Sequence, residues 1–186
     1  MGVCGRRTGV IMKYYKKING EKLYLSPVNT EDAELYTKWV NDYDVGIYMG
    51  FYREMISLAK ERSLLEGFES GGHSYAIVAR DGDVPIGTCG IMSIDQISRN
   101  AEVGILIGEA DYRGRGYGTE AMKLLVDYGF NALNLRNIML KVHADNERAY
   151  ASYVKAGFRE FGRRSGGTYK DGNYVDVICM EILNES

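Results

Sequence analysis

The stretch AEVGILIGEADYRGRGYGTEA, from Ala101 to Ala121, constrains the fold more than any other part of the chain. Val103-Gly104-Ile105-Leu106-Ile107 is a short β-branched run closed by Gly108-Glu109-Ala110-Asp111, the pattern of a buried strand. Gly114, Gly116 and Gly118 then alternate with Arg115 and Tyr117, which allows the backbone to turn with bare N–H groups facing outward. Ala121, Leu124, Leu125 and Tyr128 recur at i, i+3, i+4 and i+7, so they form one face of a helix whose N-terminus lies at the glycines. Unpaired N–H groups and the positive end of the helix dipole make this corner a site for phosphate or pyrophosphate, and Arg113 and Arg115 add formal charge.

A glycine turn that only caps a helix reads the same way, and two known nucleotide motifs do not fit it. GxGxxG counted from Gly114 needs glycine where Thr119 stands, and GxxxxGK[ST] has no match, because the chain contains no Gly-Lys pair.

The 186 residues suit one domain, and 45% hydrophobic with 26% charged residues is ordinary for a globular protein. A net charge of −2 offers no electrostatic reason to expect nucleic acid or an anionic membrane as partner. The basic residues near the N-terminus, Arg6, Arg7, Lys13, Lys16 and Lys17, read as a solvated tail. Cys4, Cys89 and Cys179 are far apart and form no CxxC pair, which argues against a disulfide framework or a structural zinc and suits a reducing cytoplasm. No metal site is expected. Neither a membrane-length apolar run nor a signal-peptide centre is present.

Residues 1–20 show no period and read as a frayed extension, with Met12 an alternative start; 21–186 read as a single domain. Leu23 to Val28 predicts a first strand, and Asn29-Thr30-Glu31-Asp32 starts a helix towards Val40, in which Tyr36 and Trp39 read as core. Asn41 to Phe51 reads as a loop, and Arg53 to Phe68 has helical spacing. Tyr75–Ala79 and Ile86–Ile91 form a hairpin about Asp81-Gly82-Asp83, and the strand ending at Ile107 follows as the fourth. Ile138 to Ala144 is the fifth strand, a helix runs from Asp145 or Asn146 to Lys155 with Gly157 as its C-cap, and two last strands cover Arg159–Arg164 and Tyr174–Ile182.

The segment from Asn146 to Phe158 is the second informative piece. Asn146 and Tyr153 stand two helical turns apart with Ala149 between them, which gives one polar face along a groove; core packing of Tyr153 is the alternative.

Two motifs carry a family resemblance. Arg113-Gly114-Arg115-Gly116-Tyr117-Gly118 fits the (Q/R)xxGx(G/A) signature of the GNAT superfamily of acyl-CoA-dependent N-acetyltransferases, in the same strand-to-helix setting. Asn146 to Phe158 fits NxxAxxxYxKxGF, as found in the fourth helix of many GNAT enzymes. Together they span Ala101 to Phe158, and the look is that of the branch with spermidine acetyltransferases and acetyltransferases of ribosomal-protein N-termini. The first ~100 residues resemble that branch only loosely.

The resemblance implies a mixed α/β domain of the α+β type: a twisted, mainly antiparallel sheet flanked by helices, with the fourth and fifth strands splayed. It implies acetyl-CoA as cosubstrate. The backbone of Ile105, Leu106 and Ile107 would pair with the pantetheine arm like an added strand. The backbone of Arg113, Gly114, Arg115, Gly116, Tyr117, Gly118 and Thr119 would hold the pyrophosphate, Asn146 would bond the cofactor from the other side, and Tyr153 would direct its hydroxyl at the thioester sulfur. A neutral amine then attacks the thioester through a tetrahedral intermediate. A backbone N–H near Ile107 is the expected oxyanion donor and Tyr153 the expected general acid.

For the general base Glu102 is favoured, directly or through a water. Strand alternation sets it with Gly104 and Leu106, opposite Val103, Ile105 and Ile107. A salt bridge to Arg99 or Lys141 is the alternative use of this carboxylate, and His143 is a weaker base candidate.

The acceptor stays open among a small amine, a polyamine and a peptide N-terminus. In the spermidine branch the loop before the second helix carries clustered carboxylates, whereas here Tyr48-Met49-Gly50-Phe51-Tyr52-Arg53-Glu54 has only Glu54, with Glu34, Asp42 and Asp44 as substitutes. Tyr43, Tyr48, Phe51 and Tyr52 either line the acceptor pocket or roof the core. Homodimers are common in the family. A catalytically silent acyl-CoA-binding module, or a nucleotide-binding domain using the same turn, are the competing readings.

Overall fold

The computed structural model describes residues 13–50 and 52–185. Expectations that fall on residues 1–12, including the start at Met12, and on Phe51 lie outside the described residues.

Among the described residues, eight strands form one sheet. Their order is β1 (Ile18–Asn19), β2 (Leu23–Pro27), β3 (Ser74–Ala79), β4 (Val84–Asp95), β5 (Asn100–Ile107), β6 (Asn137–His143), β8 (Asn173–Leu183) and β7 (Arg159–Lys170). Every neighbouring pair is antiparallel except β5 with β6. The mixed α/β, mainly antiparallel sheet expected from sequence is therefore present.

That one parallel pair is also the sheet's break. β5 and β6 pair only at Asn100↔Asn137, Ala101↔Ile138 and Glu102↔Met139. β5 nevertheless stays on β4 up to Gly87↔Ile107, and β6 stays on β8 up to His143↔Val177. Each half of the sheet follows its own neighbours and twist, and a V opens between the C-terminal halves of β5 and β6.

Alternation along β5 sorts the two faces. Ala101 and Val103 are buried with Ala121, Met122 and Leu125 of α4 (Tyr117–Asn131), and Ala149 and Tyr153 of α5 (Glu147–Ala156) pack on the same cluster. Leu106 points the other way, into a cluster with Tyr36 and Trp39 of α1 (Ala33–Val40), Val45 of α2 (Tyr43–Met49) and Leu65 of α3 (Leu58–Gly71). Each fully buried leucine in these layers contributes ~1.5–3 kcal/mol. Tyr36 and Trp39 are core, at 3% and 1% exposure.

Several boundaries differ from the sequence reading, and β7 runs on to Lys170 where a strand ending at Arg164 is expected. The loop expected from Asn41 to Phe51 contains α2: Asp42 caps it by accepting from the Asp44 N–H at 3.0 Å, and Gly50 ends it in the left-handed region at φ 84°. Gly46, within that expected loop, is a packing glycine, since a Cβ there would lie 3.3 Å from Cα of Tyr52. The second helix starts at Leu58 rather than Arg53, because Ser57 supplies its cap to the Lys60 N–H.

Packed structure also begins before Gly20. Ile18–Asn19 pairs with β2, and Tyr14 is buried with its hydroxyl donating to Oδ2 of Asp32 at 2.7 Å. An aromatic anchor on a buried carboxylate 18 residues away leaves no local pattern to read.

Candidate active site

A cavity of about 1310 Å³ runs through the V. Of the residues proposed from sequence, Glu102, Ile105, Leu106, Ile107, Arg113, Gly114, Gly116, Gly118, Thr119, Asn146 and Tyr153 line it, and Arg115 and Tyr117 do not. Arg115 lies over the Tyr112 ring and donates to the Asp111 carbonyl; Tyr117 packs edge-on against Tyr112 at 5.2 Å.

The α4 side of the cavity is formed by the glycine turn and the first turn of α4. Gly114 and Gly116 adopt φ 73° and 89°, values that a side chain rarely tolerates, and a Cβ on Gly114 would meet nothing within 4 Å. The first bond of the α4 turn is donated by Glu120 to the Gly116 carbonyl at 3.0 Å, so Tyr117, Gly118 and Thr119 stand ahead of it with no carbonyl a turn earlier. Thr119 and Ser152 share a 2.8 Å hydroxyl bond that ties α4 to α5.

Lys22, which sequence reasoning missed, joins this turn. Its Nζ donates to the Arg115 carbonyl at 3.2 Å and lies 3.5 Å from where a Cβ of Gly116 would be. Its partner is 93 residues away, so no local signal points to it. Arg113, by contrast, is not a free charge: Nε and Nη2 donate to the carbonyls of Ile107 and Gly108 at 3.0 and 2.8 Å, bracing the end of β5.

Asn146 caps α5, its Oδ1 accepting from the Ala149 N–H at 3.2 Å. This leaves the Nδ2 donor for a ligand. Gly157 closes the helix at φ 105°, with the Phe158 N–H reaching the Tyr153 carbonyl at 3.0 Å. Phe158 is buried and its ring meets the Tyr153 ring at 6.2 Å, which fixes the phenol's direction. Burial raises the Tyr153 hydroxyl to about 12, so it holds its proton at any working pH.

The opposite side faces α2. Asp44, Val45, Tyr48 and Met49 line the cavity there, together with Glu102, Lys141 and His143. Both Glu102 oxygens accept from Nζ of Lys141 at 3.1 Å, the ion-pair alternative left open by sequence. Of the substitute carboxylates, Asp44 alone lines the cavity; Asp42 caps α2 and lies 3.6 Å from Arg113, and Glu54 pairs with Lys60 at 2.6 Å. Tyr43 and Tyr52 do not line it but latch α2 onto the β7–β8 hairpin, through Asp171 and the Tyr169 carbonyl.

His143, at the end of β6, is half-buried, and its Nδ1 is buried without a hydrogen-bond partner. Its ring meets Tyr48 at 6.0 Å, and burial with the Lys170 ammonium pushes its basicity below the ordinary histidine value. Lys170 itself is buried, paired with Asp145 at 2.5 Å and seated 4.1 Å over the Tyr48 ring. Among the described residues no group of three or more His, Cys, Asp or Glu could hold a metal, and no helix is long and apolar enough to cross a membrane.

The chain has relatives among known proteins. Residues 22–159 match the family described as acetyltransferase (GNAT) domain. The chain is 30% identical over 171 residues to the uncharacterized N-acetyltransferase p20 of Bacillus licheniformis, covering 88% of this chain and 93% of that one. It is 36% identical over 107 residues to spermidine N(1)-acetyltransferase of Escherichia coli, covering 58% and 56%. Among solved structures, spermidine N-acetyltransferase from Vibrio cholerae in complex with CoA and spermine superposes with a TM-score of 0.77 at 26% identity, over 88% of this chain and 96% of that one.

Proposed function

The chain belongs to the GNAT acetyltransferase family and is an acetyl-CoA-dependent acetyltransferase, and on that premise we propose that it acetylates a primary amine that enters from the α2 side of the V. The carrying observation is the cavity's two-sidedness. An anion-binding turn and a free strand edge lie on one side, and an ion-paired, aromatic wall lies on the other.

The residues fit the donor. The amides ahead of the first α4 bond, the two left-handed glycines and Lys22 suit a pyrophosphate. The β6-facing edge of β5 beyond Glu102, where no strand lies beside it, suits an extended amide-bearing arm at Ile105 to Ile107. Nδ2 of Asn146 bonds it from α5. Bound acetyl-CoA supplies an activated acyl carbon and a thiolate leaving group.

The chain's own groups do the rest. A backbone N–H near Ile107 receives the oxyanion, preorganised because Arg113 holds the end of β5. Tyr153, protonated by virtue of its burial, donates its proton to the departing sulfur. Glu102, balanced by Lys141, and Asp44 give the acceptor side a modest negative charge that suits one ammonium or a peptide α-amine as well as a polyamine. The free thiols of Cys89 and Cys179 suit a reducing cytoplasm.

The test is turnover: release of CoA thiol from acetyl-CoA with spermidine, tyramine and short peptides offered in parallel, and product mass to locate the acetyl group. Acetylation of any of these amines supports the reading. Binding of acetyl-CoA with no amine-dependent release across the panel points instead to a silent acyl-CoA-binding module.

A further inference from the structure

We propose that Nε2 of His143 takes the proton from the acceptor amine, the role that sequence alone favoured for Glu102; this rests on the acetyltransferase reading above.

Position is the first argument. The parallel register of β5 and β6 runs Asn100↔Asn137 to Glu102↔Met139, so its continuation sets His143 level with Leu106, across the V from the strand end that serves the acyl group. Met139, Lys141 and His143 alternate onto one face of β6. Lys141 reaches Glu102 on that face and His143 meets Tyr48 of α2, which fixes it as the acceptor face. Tyr153 approaches the same cavity from the helix layer on the other face. Acid and base thus stand on opposite sides of the reacting carbonyl.

Availability is the second. A proton moving onto Glu102 must break a pair in which both oxygens accept from one ammonium. His143 breaks no pair: Nδ1 is buried and unpartnered, the half-buried residue lines the cavity, and Nε2 accepts when the ring proton sits on Nδ1. The charges about it are Lys170 and Asp145 beside it, and Lys141, Glu102 and Asp44 around the same cavity, with Tyr48 on α2. Burial and Lys170 keep the ring neutral near pH 7, ready to accept.

The step balances. The amine nitrogen bonds to the acyl carbon and becomes acidic, the carbon–sulfur bond breaks, the N–H proton passes to Nε2, and the Tyr153 proton passes to sulfur. Imidazolium then releases its proton to water and the tyrosinate recovers one, so a single proton has moved from nitrogen to sulfur. An imidazolium with no partner on Nδ1 is poorly held, which favours that release.

The test has two readouts. Side-chain nitrogen NMR of the free protein, which contains two histidines, should show the His143 ring neutral at pH 7 and titrating below ordinary histidine; a charged ring at pH 7 overturns the assignment without any acceptor being known. With an amine that the wild type acetylates, H143Q should lose ~10²-fold or more in kcat and the acid limb of the kcat/KM profile, with acetyl-CoA affinity unchanged. Imidazole added to H143A should restore part of the rate. H143Q with full turnover and an intact acid limb overturns the assignment, and so does E102Q removing that limb while H143Q keeps it. A wild type that acetylates no amine sinks the acetyltransferase reading, and the NMR titration still decides the state of His143.

Discussion

Both oxygens of Glu102 stand 3.1 Å from Nζ of Lys141, across the mouth of the V where β5 and β6 part. The pair is part-exposed, so its worth lies in the charge that it presents to an acceptor rather than in stability. Lys141→Met leaves Glu102 uncompensated on a cavity that Asp44 also lines. KM for a dicationic or polycationic amine should fall roughly 3- to 10-fold, and that for an aromatic monoamine should move less. Equal shifts for both amines would place the Glu102–Lys141 pair outside the acceptor path.

Tyr153→Phe removes only a hydroxyl, and the ring contact with Phe158 survives. kcat should drop ~10²-fold while acetyl-CoA affinity, read by calorimetry, stays within a factor of about two. Unchanged kcat would strip Tyr153 of the acid role.

Gly108 has no room for a methyl group, since a Cβ would sit 2.1 Å from Cδ2 of Trp39, whose indole is 1% exposed. Gly108→Ala should cost about 3 kcal/mol and lower Tm by roughly 6–12 °C. A variant melting with the wild type would mean that α1 shifts on the sheet at no cost.

Stability should fall in acid through Glu109. Bonds donated by Trp39 Nε1 at 2.8 Å and Lys38 Nζ at 2.9 Å hold its carboxyl below the usual range. A carboxyl depressed in the fold stabilises fully above its unfolded value, ~4.3, and that contribution is lost as pH falls through the lower folded value. The Tm gap between wild type and Glu109→Gln should therefore shrink between pH 7 and pH 3. A constant gap over that range would contradict the assignment.

Local patterns carried the sequence reading where function is local. The strand, glycine turn and first residues of α4 lie within some twenty residues, and Asn146, Tyr153, Gly157 and Phe158 lie on one helix and its cap. Most of the residues that line this side of the cavity were legible for that reason. The misreadings come from packing contacts that no residue pattern shows. Gly46 sits in a stretch that reads as loop until Tyr52 is packed on it, and the Arg113 side chain reads as a free charge until the carbonyls of Ile107 and Gly108 occupy its guanidinium. Lys22 reaches the glycine turn and Lys170 reaches Tyr48 and Asp145 through chain segments that meet only in the folded sheet. His143 was visible as a histidine at a strand end, but its unpartnered Nδ1 is a property of the packing.

The most direct measurement is a thermal-shift titration with acetyl-CoA, CoA, NAD and ATP side by side, since a ligand that binds only the folded state raises Tm by mass action. Acetyl-CoA and CoA should both stabilise the protein, and Asn146→Ala, which also removes the α5 cap, should reduce the stabilisation as well as the starting Tm. Stabilisation by NAD or ATP with none by acetyl-CoA or CoA would contradict the account, because the glycine turn and the open edge of β5 would then serve another phosphate.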